Sequence, residues 1–76
     1  MKKERVKEIM SKVFEMNIED LKDDTNQKNT PRWDSLRHLT LIVELEDEFG
    51  VSFEPEEIGS MDSIDAVLLA LEKNTR

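Results

Sequence analysis

The sequence predicts an all-α protein, a four-helix bundle of three main helices plus one short helix. Three observations predict it. Apolar residues recur at helical spacing in three separate segments. No two alternating apolar runs are joined by a hairpin turn. The length, 76 residues, suits one small core, so residues 1–76 are expected to form a single domain.

In the first segment Val6, Ile9, Met10, Val13 and Phe14 form one continuous stripe, with Lys and Glu opposite. Asn17 marks the exit, and Ile18 and Leu21 are expected to fold back as anchors on the same core. Residues 22–34 are polar and aperiodic, a long loop of the kind that is either functional or disordered. Within it, Pro31 biases Thr30 toward an extended conformation. The second helix spans residues 35–49, with Asp34 or Ser35 as its N-cap and Gly50 as its stop. Val51-Ser52-Phe53 reads as a short extended piece. Residues 54–58 then read as one helical turn, with Pro55 at its first position and acids over its N-terminus. The last helix starts from Asp62 or Ser63, carries Ile64, Val67, Leu68 and Leu71 on one face, and ends near Lys73. Met10, Met16 and Met61 fill the core.

Composition narrows the function. Without cysteine there is no disulfide and no thiolate metal site. No apolar run approaches the roughly 18 residues of a membrane span. The start, Met1-Lys2-Lys3-Glu4-Arg5, does not read as a secretory signal, so a cytoplasmic location is expected. The net charge of −7 repels nucleic acid and anionic lipid, attracts basic protein surfaces and favours a monomer.

The second helix carries two apolar stripes. Leu41, Ile42, Leu45 and Phe49, with His38 near their centre, form the core face. Leu36, Leu39 and Val43 form another, roughly 130° away on the helical wheel. Glu44, Asp47 and Glu48 fill the remaining arc, and Arg37 shares the arc of Glu44 and Glu48. The second stripe is either a wider contact inside a small bundle or a docking surface rimmed by charge.

Ser35, beside Asp34 at the mouth of that helix, is the candidate reactive hydroxyl. A catalytic role needs a base within hydrogen-bond reach. The single histidine, His38, is turned toward the core face by helix geometry, and no glycine flanks the serine. No catalytic residue is therefore assigned. The carboxylates at 44 and 46–48 spread over several helix faces and match no calcium loop, so no metal site is assigned either. With Gly50 and Gly59 as the only glycines, a glycine-rich phosphate loop is absent. Trp33 reads as a loop anchor that pins the chain entering the helix.

Asp34-Ser35-Leu36 at a helix start, followed by the acid-rich helix ending Leu45-Glu46-Asp47-Glu48-Phe49-Gly50-Val51, resembles the acyl carrier protein family. Leu21-Lys22-Asp23-Asp24-Thr25 upstream, the acidic turn at residues 54–58 and the final amphipathic helix agree, so the resemblance covers the whole chain. It implies an acyl-carrier-protein-like bundle that is not an enzyme. A phosphopantetheinyl transferase would move 4′-phosphopantetheine from coenzyme A onto Ser35, with Asp34 and Leu36 beside the attachment point. The arm's thiol would carry acyl groups as thioesters in fatty acid, polyketide or related biosynthesis. The resemblance further implies that Leu36, Arg37, Leu39, Val43, Glu44, Asp47 and Glu48 meet partner enzymes with basic surfaces that load, transfer or condense the acyl group. Many relatives carry an acid after the leucine, where this chain has Arg37-His38, so recognition by general fatty-acid synthase enzymes does not follow. The alternatives are a peptidyl or aminoacyl carrier, an unmodified acidic helical interaction domain, and, least favoured, a small hydrolase using Ser35 and His38.

Overall fold

The computed structural model describes residues 2–74. Its helices are α1 (Lys2–Phe14), α2 (Ser35–Phe49), α3 (Pro55–Ser60) and α4 (Ile64–Asn74), with a 3-10 turn at Ile18–Asp20. The fold is the expected all-α bundle. None of the helices is long and apolar enough to cross a membrane.

The core forms where the amphipathic faces meet. Val6, Ile9, Met10 and Phe14 come from α1, Leu41, Ile42 and Leu45 from α2, and Ile64, Val67, Ala70 and Leu71 from α4. Leu21, Trp33, Phe53 and Met61 close it from the connections, while Val13, Met16, Phe49 and Leu68 are partly buried at its margin. Buried apolar surface of this kind supplies most of the stabilisation, at about 25 cal/mol per Å².

One anchor was misplaced by the sequence reading. Leu21 is 2% exposed, but Ile18 is 42% exposed. The chain leaves helical geometry at Leu21, which is extended (φ −92°, ψ 96°), and the two side chains part there.

Local chemistry explains the helix ends. Asp34 is the N-cap of α2, its side chain accepting from the Arg37 N–H at 2.8 Å. Ser63 caps α4, Oγ accepting from the Ala66 N–H at 3.0 Å. At the start of α3, Pro55 occupies the first turn and Glu57 Oε1 accepts the Glu54 N–H at 3.0 Å. Two helices stop in the same way. Met16 N–H donates to Ser11 O, and Val51 N–H donates to Glu46 O, both at 3.1 Å. The residue at each bend is left-handed, Glu15 with φ 55° and Gly50 with φ 64°.

A Cβ at Gly50 would meet nothing within 4 Å, so substitution there costs backbone strain alone. Gly50→Ala is expected to lower stability by about 1–2 kcal/mol, read as a lower urea midpoint at unchanged slope.

The connection between α1 and α2 is a hydrogen-bonded scaffold. Asn26 Oδ1 accepts from the N–H groups of Lys28 and Asn29, and Asn29 Oδ1 accepts from the Asn26 N–H. Thr25 and Thr30 are buried, and Thr25 Oγ1 accepts from the Lys22 N–H at 2.8 Å. An isolated antiparallel bridge joins Asn26 to Ser63, with Gln27 N–H to Asp62 O at 2.8 Å and Ile64 N–H to Thr25 O at 3.1 Å. The loop is thus fastened to the start of α4. A turn closed by Trp33 N–H to Thr30 O, 2.9 Å, then delivers the chain into α2.

Surface ion pairs tie α1 to its neighbours. Lys3 and Lys7 reach Asp23 at 2.8 and 3.2 Å, and Arg5 grips Glu48 through two 2.8 Å bonds. These cations hold the Asp23 and Glu48 carboxyls below their ordinary values of 3.8 and 4.5. A depressed carboxyl stabilises the fold above its unfolded value and loses that contribution as pH falls through its folded value. The urea-midpoint difference between wild type and Asp23→Asn is therefore expected to be full at about pH 6 and to close below about pH 4. A difference that widened on acidification would contradict the assignment.

Candidate functional site

The turn at residues 30–33 and the cap at Asp34 place Ser35 as the first residue of α2, exposed at the mouth of the helix. Asp34 uses both carboxylate oxygens. Oδ1 accepts from the Arg37 N–H at 2.8 Å, and Oδ2 accepts from Arg37 Nη1 at 3.0 Å. The backbone N–H groups of Ser35 and Leu36 have no protein acceptor among the described residues. They are two of the orphan donors of a helix start and are available to anionic oxygens. The donor set therefore fits a phosphate ester on Ser35.

His38 does not serve Ser35. It is buried, and both of its ring nitrogens are engaged elsewhere. Trp33 Nε1–H, which can only donate, gives to His38 Nδ1 at 2.9 Å. Nε2 lies 2.8 Å from Ile58 O, which can only accept. The ring is therefore the Nε2–H tautomer, donating to α3 and accepting from the loop. Trp33 also packs on Phe14, ring centroids 5.2 Å apart, so one indole joins α1, the loop and α2. The sequence reading found the anchor but not its partner. The clue was the pairing of a lone tryptophan with a lone histidine five residues on, both flanking Ser35.

The second stripe is exposed. Leu36, Leu39 and Val43 are 76%, 57% and 61% accessible, which removes the reading of a wider contact inside the bundle. Glu44 and Asp47 are exposed and form no ion pair among the described residues. Both line a groove of about 320 Å³ against Lys12 and Val13 of α1. Glu48 is different, because Arg5 already holds it. Arg37 offsets Asp34, not the acids two and three turns further along its arc.

A cleft of about 660 Å³ lies between the end of α1 and the loop, lined by residues that include Met16, Thr25 and Pro31. Neither Ser35 nor His38 borders it. What the fold offers at Ser35 is an exposed hydroxyl, a helix start that suits an anion and an apolar strip running away from it. Those are the parts of a carrier, a protein that receives a prosthetic arm. The chain belongs to the phosphopantetheine attachment site family, which matches residues 4–68. No curated protein matched the chain. A domain of this family is the site of covalent 4′-phosphopantetheine attachment, in keeping with the acyl carrier resemblance of the sequence.

Proposed function

We propose that Ser35 is the attachment residue and that the chain is an acyl carrier. The observation that carries this is the placement of the one exposed α2 hydroxyl that begins the helix, beside two uncommitted backbone N–H groups. Transfer forms one Oγ–P bond at Ser35, breaks the pyrophosphate bond of coenzyme A to release adenosine 3′,5′-bisphosphate, and passes the hydroxyl proton to a base. The base for that step comes from the transferase, since His38 is locked between Trp33 and Ile58. The arm's terminal thiol then carries acyl groups as thioesters between enzymes of fatty acid, polyketide or related biosynthesis. The chain itself performs no catalysis. Residues 1–76 act as one cytoplasmic, monomeric carrier domain.

Partner enzymes dock on the outer face of α2. Leu36, Leu39 and Val43 supply the apolar contact, and Glu44 and Asp47 meet basic groups. Glu48 joins them only by giving up Arg5. Asp34 orders the attachment turn through its cap.

The test is intact mass after incubation with a phosphopantetheinyl transferase and coenzyme A. A gain of one arm supports the proposal. An unchanged mass across several transferases would favour an unmodified interaction domain instead.

A further inference from the structure

The bundle has two unlike ends, because α1 and α2 pack with opposite sense. At one end Arg5, near the start of α1, holds Glu48, near the end of α2. At the other, Phe14 closes α1 against Trp33, two residues before Ser35. The cleft of about 660 Å³ belongs to this second end, since its lining runs from Glu15 and Met16 to Pro31 and Arg32. Its volume lies within the range of sites that take small organic ligands. Its chemistry is mixed. Met16 and Pro31 are apolar, Asn17, Lys22 and Arg32 carry N–H donors, and Glu15 carries acceptors. Glu15, Lys22 and Arg32 form no ion pair among the described residues. Arg32 makes one long contact, 3.5 Å from Nη1 to Phe14 O, which leaves most of its fork uncommitted. Glu15 is also the left-handed residue that ends α1, a conformation unfavourable for any side chain, where the matching stop of α2 uses Gly50.

We propose that this cleft is the resting site of the 4′-phosphopantetheine arm. This rests on the reading of Ser35 as the attachment residue. Beyond its phosphate the arm is a neutral chain with a dimethyl-bearing carbon, a hydroxyl and two amides. It needs apolar contact, donors and acceptors together, and the cleft lining offers all three. Reach is sufficient. The arm spans about 16 Å from phosphorus to sulfur at the advance per bond of an extended chain, and Arg32 lies at most about 11 Å from Ser35 along the backbone. Tethering makes weak affinity enough. A group on a short flexible linker meets its site at an effective concentration on the order of 1 mM, so a dissociation constant in that range gives about half occupancy. Leu36, Leu39 and Val43 do not line the cleft, so an arm held there leaves the docking ridge open to an enzyme.

The experiment uses the full chain, loaded by a phosphopantetheinyl transferase with coenzyme A and checked by intact mass. The chain has no cysteine, so the arm carries the only thiol, and a maleimide nitroxide labels it alone. Amide spectra are recorded with the nitroxide oxidised and reduced. The amides of Met16, Asn17 and Arg32 are expected to lose intensity to the oxidised label, while those of Leu39 and Val43 keep theirs. In the unlabelled protein, the amide shifts of Met16 and Asn17 are expected to differ between the apo and holo chains. Arg32→Glu, at an exposed position, removes a donor and adds a negative charge that repels the phosphodiester, so the loss at Met16 and Asn17 weakens.

Intensity lost chiefly at Leu39 and Val43, or equally there and at the cleft, would overturn the proposal and leave the Ser35 reading standing. Equal loss in wild type and Arg32→Glu would overturn it as well. If wild type takes up no arm, the Ser35 reading fails and the resting site with it. A circular dichroism melt of Arg32→Glu checks that the fold is kept.

Discussion

The Ser35→Ala chain is expected to fold as the wild type does and, on the proposed assignment, to take up no 4′-phosphopantetheine. Both halves follow from position. Asp34, not Ser35, is the N-cap, so removing the serine hydroxyl costs no cap. Among the described residues Ser35 Oγ has no hydrogen-bond partner, and alanine is the best residue for a helical position. Stability is expected to change by less than about 0.5 kcal/mol. The loss of modification is expected to be complete, because no other hydroxyl begins α2 beside its uncommitted N–H groups. Ser52 and Ser60 are also exposed, so intact mass rather than activity is the deciding measurement. An arm on Ser35→Ala would move the attachment point and sink the assignment. The contrasting variant is Asp34→Ala, which removes the cap. It is expected to cost about 1 kcal/mol and to leave the hydroxyl in place.

Trp33→Ala is expected to unfold most of the population near body temperature. Trp33 is the largest fully buried side chain, packed on Phe14 and bonded to His38. Truncating it removes about 3–5 kcal/mol of packing. It also strands His38 Nδ1, a further cost of about 1–3 kcal/mol if no water replaces the bond. A domain of this length holds only about 4–11 kcal/mol in total. Trp33→Phe separates the contributions in part, since it keeps most of the apolar volume while losing the N–H donor and some of the ring. The expected order of melting temperatures is wild type, then Trp33→Phe, then Trp33→Ala. Each kcal/mol corresponds to about 4–8 °C in a domain of this size. A Trp33→Ala melt within about 5 °C of wild type would mean that the indole does not hold the site together.

The helices were legible because each is specified locally. The stripe from Val6 to Phe14, the cap at Asp34 and the left-handed stop at Gly50 are decided within a few residues of one another. The two stripes of α2 were legible for the same reason, and whether the second lay buried or exposed was not, since that depends on which neighbours arrive. Glu48 looked as free as Glu44 until Arg5, 43 residues away, came alongside it. The loop looked structureless because its order comes from side chains bonding to backbone, with the last bonds supplied by residues 62–64. The His38 tautomer required α3 to arrive with the Ile58 carbonyl, which no periodicity announces. At the candidate site, a helix start capped by Asp34 or Ser35 was readable from the sequence, and the Trp33–His38–Ile58 bonds beside it were not.

The indole that anchors the loop is the only tryptophan in the chain, and the sequence contains no tyrosine. Intrinsic emission excited at the red edge therefore comes from a single chromophore, two residues before Ser35. That chromophore is sealed against Phe14 and held by an imidazole whose other nitrogen rests on α3. Water reaching it as α3 lifts would shift its emission to longer wavelength. The seating of α3 against this network can thus be followed in the unlabelled protein.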